Sequence, residues 1–284
     1  MLPDGTTLHY RVWRAEQPRG CIVLLHGMAS NLTRWSEFLE QTTLKREWNI
    51  LRPDLRGHGE SIIRGRIGME IWSGDLLDLL DAEHCGRAVL IGHSLGAHLA
   101  LQFAARFPTR VGALVLIDPV FPIALRGRMR VLRLFRWILY PVVTLIRFFN
   151  ALGIRRRHLP LRDLRALDEQ VRAELLNAGD SSAFVRRYSS PTIDMQFFPV
   201  SHYVQEIIEM LRPLPPLADV RVPLLVLLSR AITYADPAVT ARLLASAPDA
   251  ECKTIDAYHW PLTEQPVQVR EAIEQWIARR LGQG

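Results

Sequence analysis

The chain has 284 residues, 49% apolar and 23% charged, with a formal net charge of +6. That composition excludes a disordered chain and suits one large core plus an insertion. Three Cys (Cys21, Cys85, Cys252), an odd number with no CxxC pair, argue against a disulfide scaffold or a thiolate zinc site and make a reducing, cytoplasmic setting the expectation.

The N-terminal MLPDGTTLHYRVWR has no apolar core segment, so no signal peptide is expected. No run of about 18 apolar residues follows, so no membrane-crossing helix is expected either. TTLHYRVW alternates like a strand, and CIVLLH is a continuous apolar run. The two can form an antiparallel edge. Further strand-like runs are NILRPD, RAVLIG, ALVLID, PLLVLL and ECKTID, with helix-like segments between them at 33–44, 69–84 and 94–107. Short unbroken apolar strands alternating with helices predict an α/β fold: a mostly parallel sheet covered by helices on both faces. The alternation breaks after Asp118. The next hundred or so residues hold helix-like pieces near 128–149, 167–177 and 201–211, too apolar for disorder. Pro213, Pro215 and Pro216 mark the return. The expected division is a core at 1–118, a helical cap inserted at 119–216, and the rest of the core at 217–284.

The run VLIGHSLGAHLALQFA carries the clearest chemistry. An apolar strand enters Gly92-His93-Ser94-Leu95-Gly96 and leaves directly as a helix. G-x-S-x-G in that context is a nucleophile elbow. The glycines permit a sharp turn that lifts the Ser94 hydroxyl, and the new helix aims its first N–H groups where negative charge develops. His26-Gly27-Met28 follows CIVLL, DLRGHGES occupies 54–61, and YHWP places His259 after the last strand-like run. Together these motifs resemble the α/β-hydrolase superfamily over nearly the whole chain outside the insertion. The resemblance implies Ser94 as nucleophile and His259 as its base, with the backbone N–H groups of Met28 and Leu95 as an oxyanion hole. His26 and His58 are expected to shape loops, His93 to point away from the site and His98 to be packed. No metal-ligand set stands out, and no cofactor is expected.

The triad acid has two candidates. The family's usual place lies just after PLLVLL. There Ser229 stands where Gly is usual, and Ile232 where the carboxylate is expected. Asp236 lies four residues further on, but Asp before Pro237 and an AVTARLLA pattern reads as a helix cap. Asp118, at the end of ALVLID, matches the place used by some members, including small bacterial esterases whose other loop resembles ITYAD with Tyr234. Asp118 is the preferred acid and Asp236 the alternative; both keep the order Ser, Asp, His.

Residues 119–162 contain ten Arg and no Asp or Glu, so the remainder is net −4 once those ten are taken from +6. Projected as one helix over 126–149, Arg126, Arg130, Arg133, Arg136 and Arg147 fall on one side. Val131, Leu132, Phe135, Ile138, Leu139, Val142, Ile146 and Phe149 fall on the other. Pro141 should kink or divide it, and Arg155-Arg156-Arg157 follows. An inner apolar face over an acyl pocket explains the stripe but not the uniform charge. Arg126, Arg130, Arg133, Arg155, Arg156 and Arg157 therefore suit an anionic membrane surface or an acidic acyl carrier. Only Trp137 and Tyr140 interleave with the Arg side, so nucleic acid is not expected. Phe135, Trp137 and Tyr234 are the expected substrate-side residues. These readings converge on a serine hydrolase of apolar carboxylic esters, with thioesterase, lactonase, carbon–carbon bond hydrolase or a non-catalytic ligand-binding protein as alternatives.

Overall fold

The computed structural model of the protein describes residues 2–178, 190–231 and 235–282. The chain runs β1 (Tyr10–Trp13), β2 (Gly20–Leu25), α1 (Ser36–Gln41), β3 (Trp48–Pro53), α2 (Met69–Ala82), β4 (Ala88–His93), α3 (Leu95–Arg106) and β5 (Val111–Ile117). Helices α4 (Gly127–Leu134), α5 (Leu139–Ala151), α6 (Leu164–Ala178), α7 (Pro191–Phe197) and α8 (Val200–Met210) follow. It returns as β6 (Leu224–Ser229), α9 (Pro237–Ala245), β7 (Ala250–Ile255), α10 (Pro261–Glu264) and α11 (Pro266–Leu281).

The strands form one sheet in the order β1-β3-β2-β4-β5-β6-β7. β1 is antiparallel to β3, and the other neighbouring pairs are parallel. The unbroken apolar runs serve two faces, because successive strand residues point to opposite sides. Val23, Leu25, Leu90, Leu114 and Val226 meet Leu76 and Leu80 of α2 and Leu99 and Phe103 of α3. Ile22, Leu24, Ile91, Val115 and Leu225 meet Trp35, Phe38, Ile273 and Trp276 on the opposite side. This is the α/β-hydrolase architecture, and all the parallel strands end at the same edge of the sheet.

Three expectations need correcting. The two opening strands do not pair, because β3 lies between them. β2 is buried and takes parallel partners on both edges, whereas β1 alternates half-buried and exposed as an edge strand does. Cys21 of β2 is disulfide-bonded to Cys85, just before the adjacent β4, which removes the support for a reducing compartment. Cys252 is the remaining free thiol.

The third correction concerns the Arg-rich segment. It is not one helix: a 3-10 turn at Arg136–Ile138 separates α4 from α5 and changes the phase between them. Pro141 falls in the first turn of α5, where its missing N–H costs nothing. The single-helix projection therefore mispoints α5. Val143 is its buried residue, and Arg147 turns inward to donate to Gln205 Oε1 (2.8 Å) and the Gly65 carbonyl (3.2 Å). Val142 and Phe149, expected inside, are exposed.

Candidate active site

The end of β4 and the start of α3 meet in a sharp turn at the sheet edge. Ser94 sits there at φ 51° and ψ −109°. A Cβ on Gly92 would come within 2.3 Å of Gly96 backbone, and one on Gly96 within 2.3 Å of the Leu25 carbonyl oxygen. Only glycine fits either place, so the turn is dictated by close backbone approach. Four non-glycine residues have positive φ among the described residues: Ala29, His84, Ser94 and Asp118. Three of them surround one cavity, as strain held at a working site would.

Ser94, His259 and Asp118 form a linear relay. The Ser94 hydroxyl donates to His259 Nε2 at 2.9 Å, and His259 Nδ1–H donates to Asp118 Oδ2 at 2.5 Å. Asp118 Oδ1 accepts from the Ser229 N–H at 3.1 Å. Burial pushes the Asp118 carboxyl up, but the facing His259 charge, its hydrogen bond and the Ser229 N–H outweigh this and hold it below the usual range. The strand end where the usual acid is missing therefore supports the acid from the neighbouring strand.

Asp236 is engaged elsewhere. Its Oδ1 accepts from the N–H groups of Ala238 (2.9 Å) and Val239 (3.3 Å) at the start of α9, and its Oδ2 pairs with Arg126 at 2.5 Å. It is a helix cap. Met28 lines the cavity beside Ser94, and Leu95 is the first residue of α3. Phe135 and Trp137, expected on the substrate side, are exposed on the 3-10 turn and its flank and do not line the cavity. Tyr234, with Ile232 and Thr233, lies outside the described residues.

The cavity holds about 760 Å³. Ser94 and His259 form its floor, and Leu125, Met129, Tyr203, Ile207, Met210 and Leu211 from the helical insertion line the other side. Its two Arg both face carboxylates: Arg34 pairs with Asp168 and donates to Thr263 Oγ1 (2.6 Å), and Arg162 donates to Asp194 (3.1 Å). Burial raises Asp194 to about 6 against the pull of Arg162.

The alpha/beta hydrolase family model matches residues 22–272. This chain belongs to that family. Among sequence relatives, it is similar to 2-hydroxy-6-oxo-2,4-heptadienoate hydrolase of Pseudomonas putida, 37% identical over 102 residues, 35% of this chain and 37% of that protein. It is also similar to the lipase LipV of Mycobacterium tuberculosis, 34% identical over 106 residues, 37% of this chain and 39% of that protein. The matched region thus spans well under half the length of these relatives. In structure it is similar to an esterase from Thermogutta terrifontis (TM-score 0.66, 23% identity, 96% of this chain and 93% of that one). The enol-lactonase of Burkholderia xenovorans is equally near (TM-score 0.66, 21% identity, 99% and 98%). At those identities the likeness speaks for the fold.

Several residues that position this site escaped sequence reading. His93 does not merely point away: its Nε2–H donates to the His259 carbonyl at 2.9 Å and holds that loop. His98 Nε2–H does the same for the loop after Asp118, through the Val120 carbonyl at 2.7 Å. Burial keeps both rings neutral, at about 3 and about 4. Glu264 accepts from the N–H groups of Tyr258 and Trp260, on either side of His259. Glu206, on α8, reaches back to the loop after β2. Its Oε2 accepts the Ala29 N–H at 3.1 Å and its Oε1 lies 2.5 Å from His58 Nε2. Both side chains are completely buried. Burial pushes Glu206 well above the carboxylate range and His58 down to about 4, which favours a neutral pair in which the Glu206 hydroxyl donates to His58 Nε2. The available signal was two His one turn into or at the end of buried elements, and an acid inside the apolar stripe of α8.

Proposed function

We propose that this hydrolase cleaves carboxylic esters with an apolar acyl group through a Ser94 acyl-enzyme. The observation that carries the proposal is the Ser94–His259–Asp118 relay at the floor of a mainly apolar cavity. His259 Nε2 takes the Ser94 proton as Oγ attacks the acyl carbonyl. Asp118 holds the tautomer with the free lone pair on Nε2 and stabilises the imidazolium that forms. The N–H groups of Met28 and Leu95 receive the oxyanion; such a donor contributes about 2.7–4 kcal/mol to the transition state. His259 then returns its proton to the leaving alcohol. A water deprotonated by the same nitrogen attacks the acyl carbon and releases the acid, restoring Ser94. The pairing of both lining Arg with carboxylates supports a neutral acyl group over an acidic one.

A fluorophosphonate probe tests the nucleophile, and p-nitrophenyl esters from acetyl to palmitoyl test the substrate class. The expected result is labelling that Ser94→Ala abolishes, with turnover favouring medium or long acyl chains. Absence of labelling at Ser94 would instead support a ligand-binding protein on this fold.

A further inference from the structure

We propose that the face formed by α4, α5 and the Arg-rich segment after them docks in the plane of a bilayer rich in anionic lipid. The charge is the first observation. Of the ten Arg at 119–162, Arg126, Arg147 and Arg162 are engaged by Asp236, Gln205 and Asp194. Arg156 donates to the Met195 carbonyl (3.1 Å), and Arg128, Arg130, Arg133, Arg136, Arg155 and Arg157 have no carboxylate partner among the described residues. With no acidic residue of its own, the segment contributes only positive charge to this surface, which complements lipid phosphates.

The second observation is that packing leaves the apolar side of the segment unused. Leu134, Phe135, Trp137, Leu145, Phe148 and Leu152 are each between 50% and 63% exposed. At about 100° per residue, Leu145, Phe148 and Leu152 lie opposite Val143, the buried residue of α5. α5 thus grips α8 by one side and turns large apolar groups outward. Scattered exposed apolar residues are ordinary, but a run of aromatic and aliphatic groups within two consecutive helices is a contact surface.

An acidic carrier protein or a coenzyme A thioester would use the Arg side chains but not the apolar row. A lipid interface uses both: apolar groups enter the acyl boundary while guanidinium groups stay at the phosphates. No helix among the described residues is long and apolar enough to cross a membrane, so the contact is in the plane. Met129 of α4 also lines the cavity, so the docked face adjoins it.

The test is cosedimentation of the full chain with vesicles of phosphatidylcholine alone or mixed with phosphatidylglycerol. Pelleting is expected with the mixed vesicles only, and raised salt should release the protein. Arg130→Gln/Arg133→Gln/Arg136→Gln should weaken partitioning about 100-fold. Leu145→Ser/Phe148→Ser should weaken it as well, with thermal melts showing that both variants stay folded. Equal binding to both vesicle types, insensitivity to salt, or unchanged binding by the variants would overturn the proposal. So would capture by an acidic carrier protein or a coenzyme A thioester with no vesicle binding.

Discussion

Glu206 offers a way to separate positioning from packing. It lies 177 residues from Ala29 in the chain, yet its carboxyl holds the Ala29 N–H and His58 at once. Ala29 follows Met28 and sits at φ 47°, a strained conformation for a residue with a Cβ. Glu206→Ala leaves the buried His58 Nε2 and the half-buried Ala29 N–H unpaired, at about 1–3 kcal/mol for the first and less for the second, so stability should fall by roughly 1–4 kcal/mol. Releasing Ala29 also frees the Met28 N–H to drift from the oxyanion. The ceiling on that effect is the loss of one donor, about 10²–10³ in kcat. KM should change little, because the interaction strengthens in the transition state. Glu206→Gln should come close to the wild type, since an amide can donate to His58 Nε2 and accept from Ala29 as the neutral carboxyl does. The assay is kcat and KM on p-nitrophenyl butyrate, below the melting temperature of each variant. A Glu206→Ala enzyme that melts lower but turns over normally would refute the positioning role. A Gln variant as damaged as Ala would refute the neutral pair.

Acid should unfold the protein steeply. Burial lowers His26 and His93 to about 3, and His58, His98 and His202 to about 4. The unfolded chain binds more protons at these sites below about pH 6.5, so stability is complete above that pH and falls as pH drops. Five sites at about 1.4 kcal/mol per pH unit each give a slope near 7 kcal/mol per unit around pH 5, against a total of about 5–15. Glu206 acts in the opposite sense with one proton. Urea unfolding across this range checks it, and a flat profile would contradict it. Removing the Cys21–Cys85 disulfide, which joins positions 64 residues apart, should lower stability by about 4 kcal/mol, read as a lower melting temperature in reductant. Gly96→Ala should sharply reduce folded yield, since its methyl meets backbone oxygens of Leu25 and His26 at 2.3 and 2.7 Å.

The parts of this fold that are local were legible in the sequence. VLIGHSLG announces strand, turn and helix within one short window, and unbroken runs such as CIVLL announce strands buried on both sides. Strand order was not legible, because β1 could pair with either neighbour. The disulfide depended on that order: only adjacency of β2 and β4 brings Cys21 to Cys85. The α5 stripe could be read, but periodicity does not say which side meets the protein, and a three-residue change of helix type shifted the phase. Glu206 and Glu264 left only a faint trace, since a buried acid gains meaning from the backbone it meets across the fold. Asp118 was nameable because the loop after β6 lacked its carboxylate, leaving a vacancy that the preceding strand could fill.

Asp118→Asn and Asp236→Asn, assayed side by side on one p-nitrophenyl ester, test the relay most directly. The relay predicts that Asp118→Asn lowers kcat about 10⁴-fold while the protein stays folded. Asp236→Asn should keep its turnover and change melting only slightly, because Asn also caps helices well. Near wild-type turnover by Asp118→Asn, with the large loss in Asp236→Asn, would contradict the account.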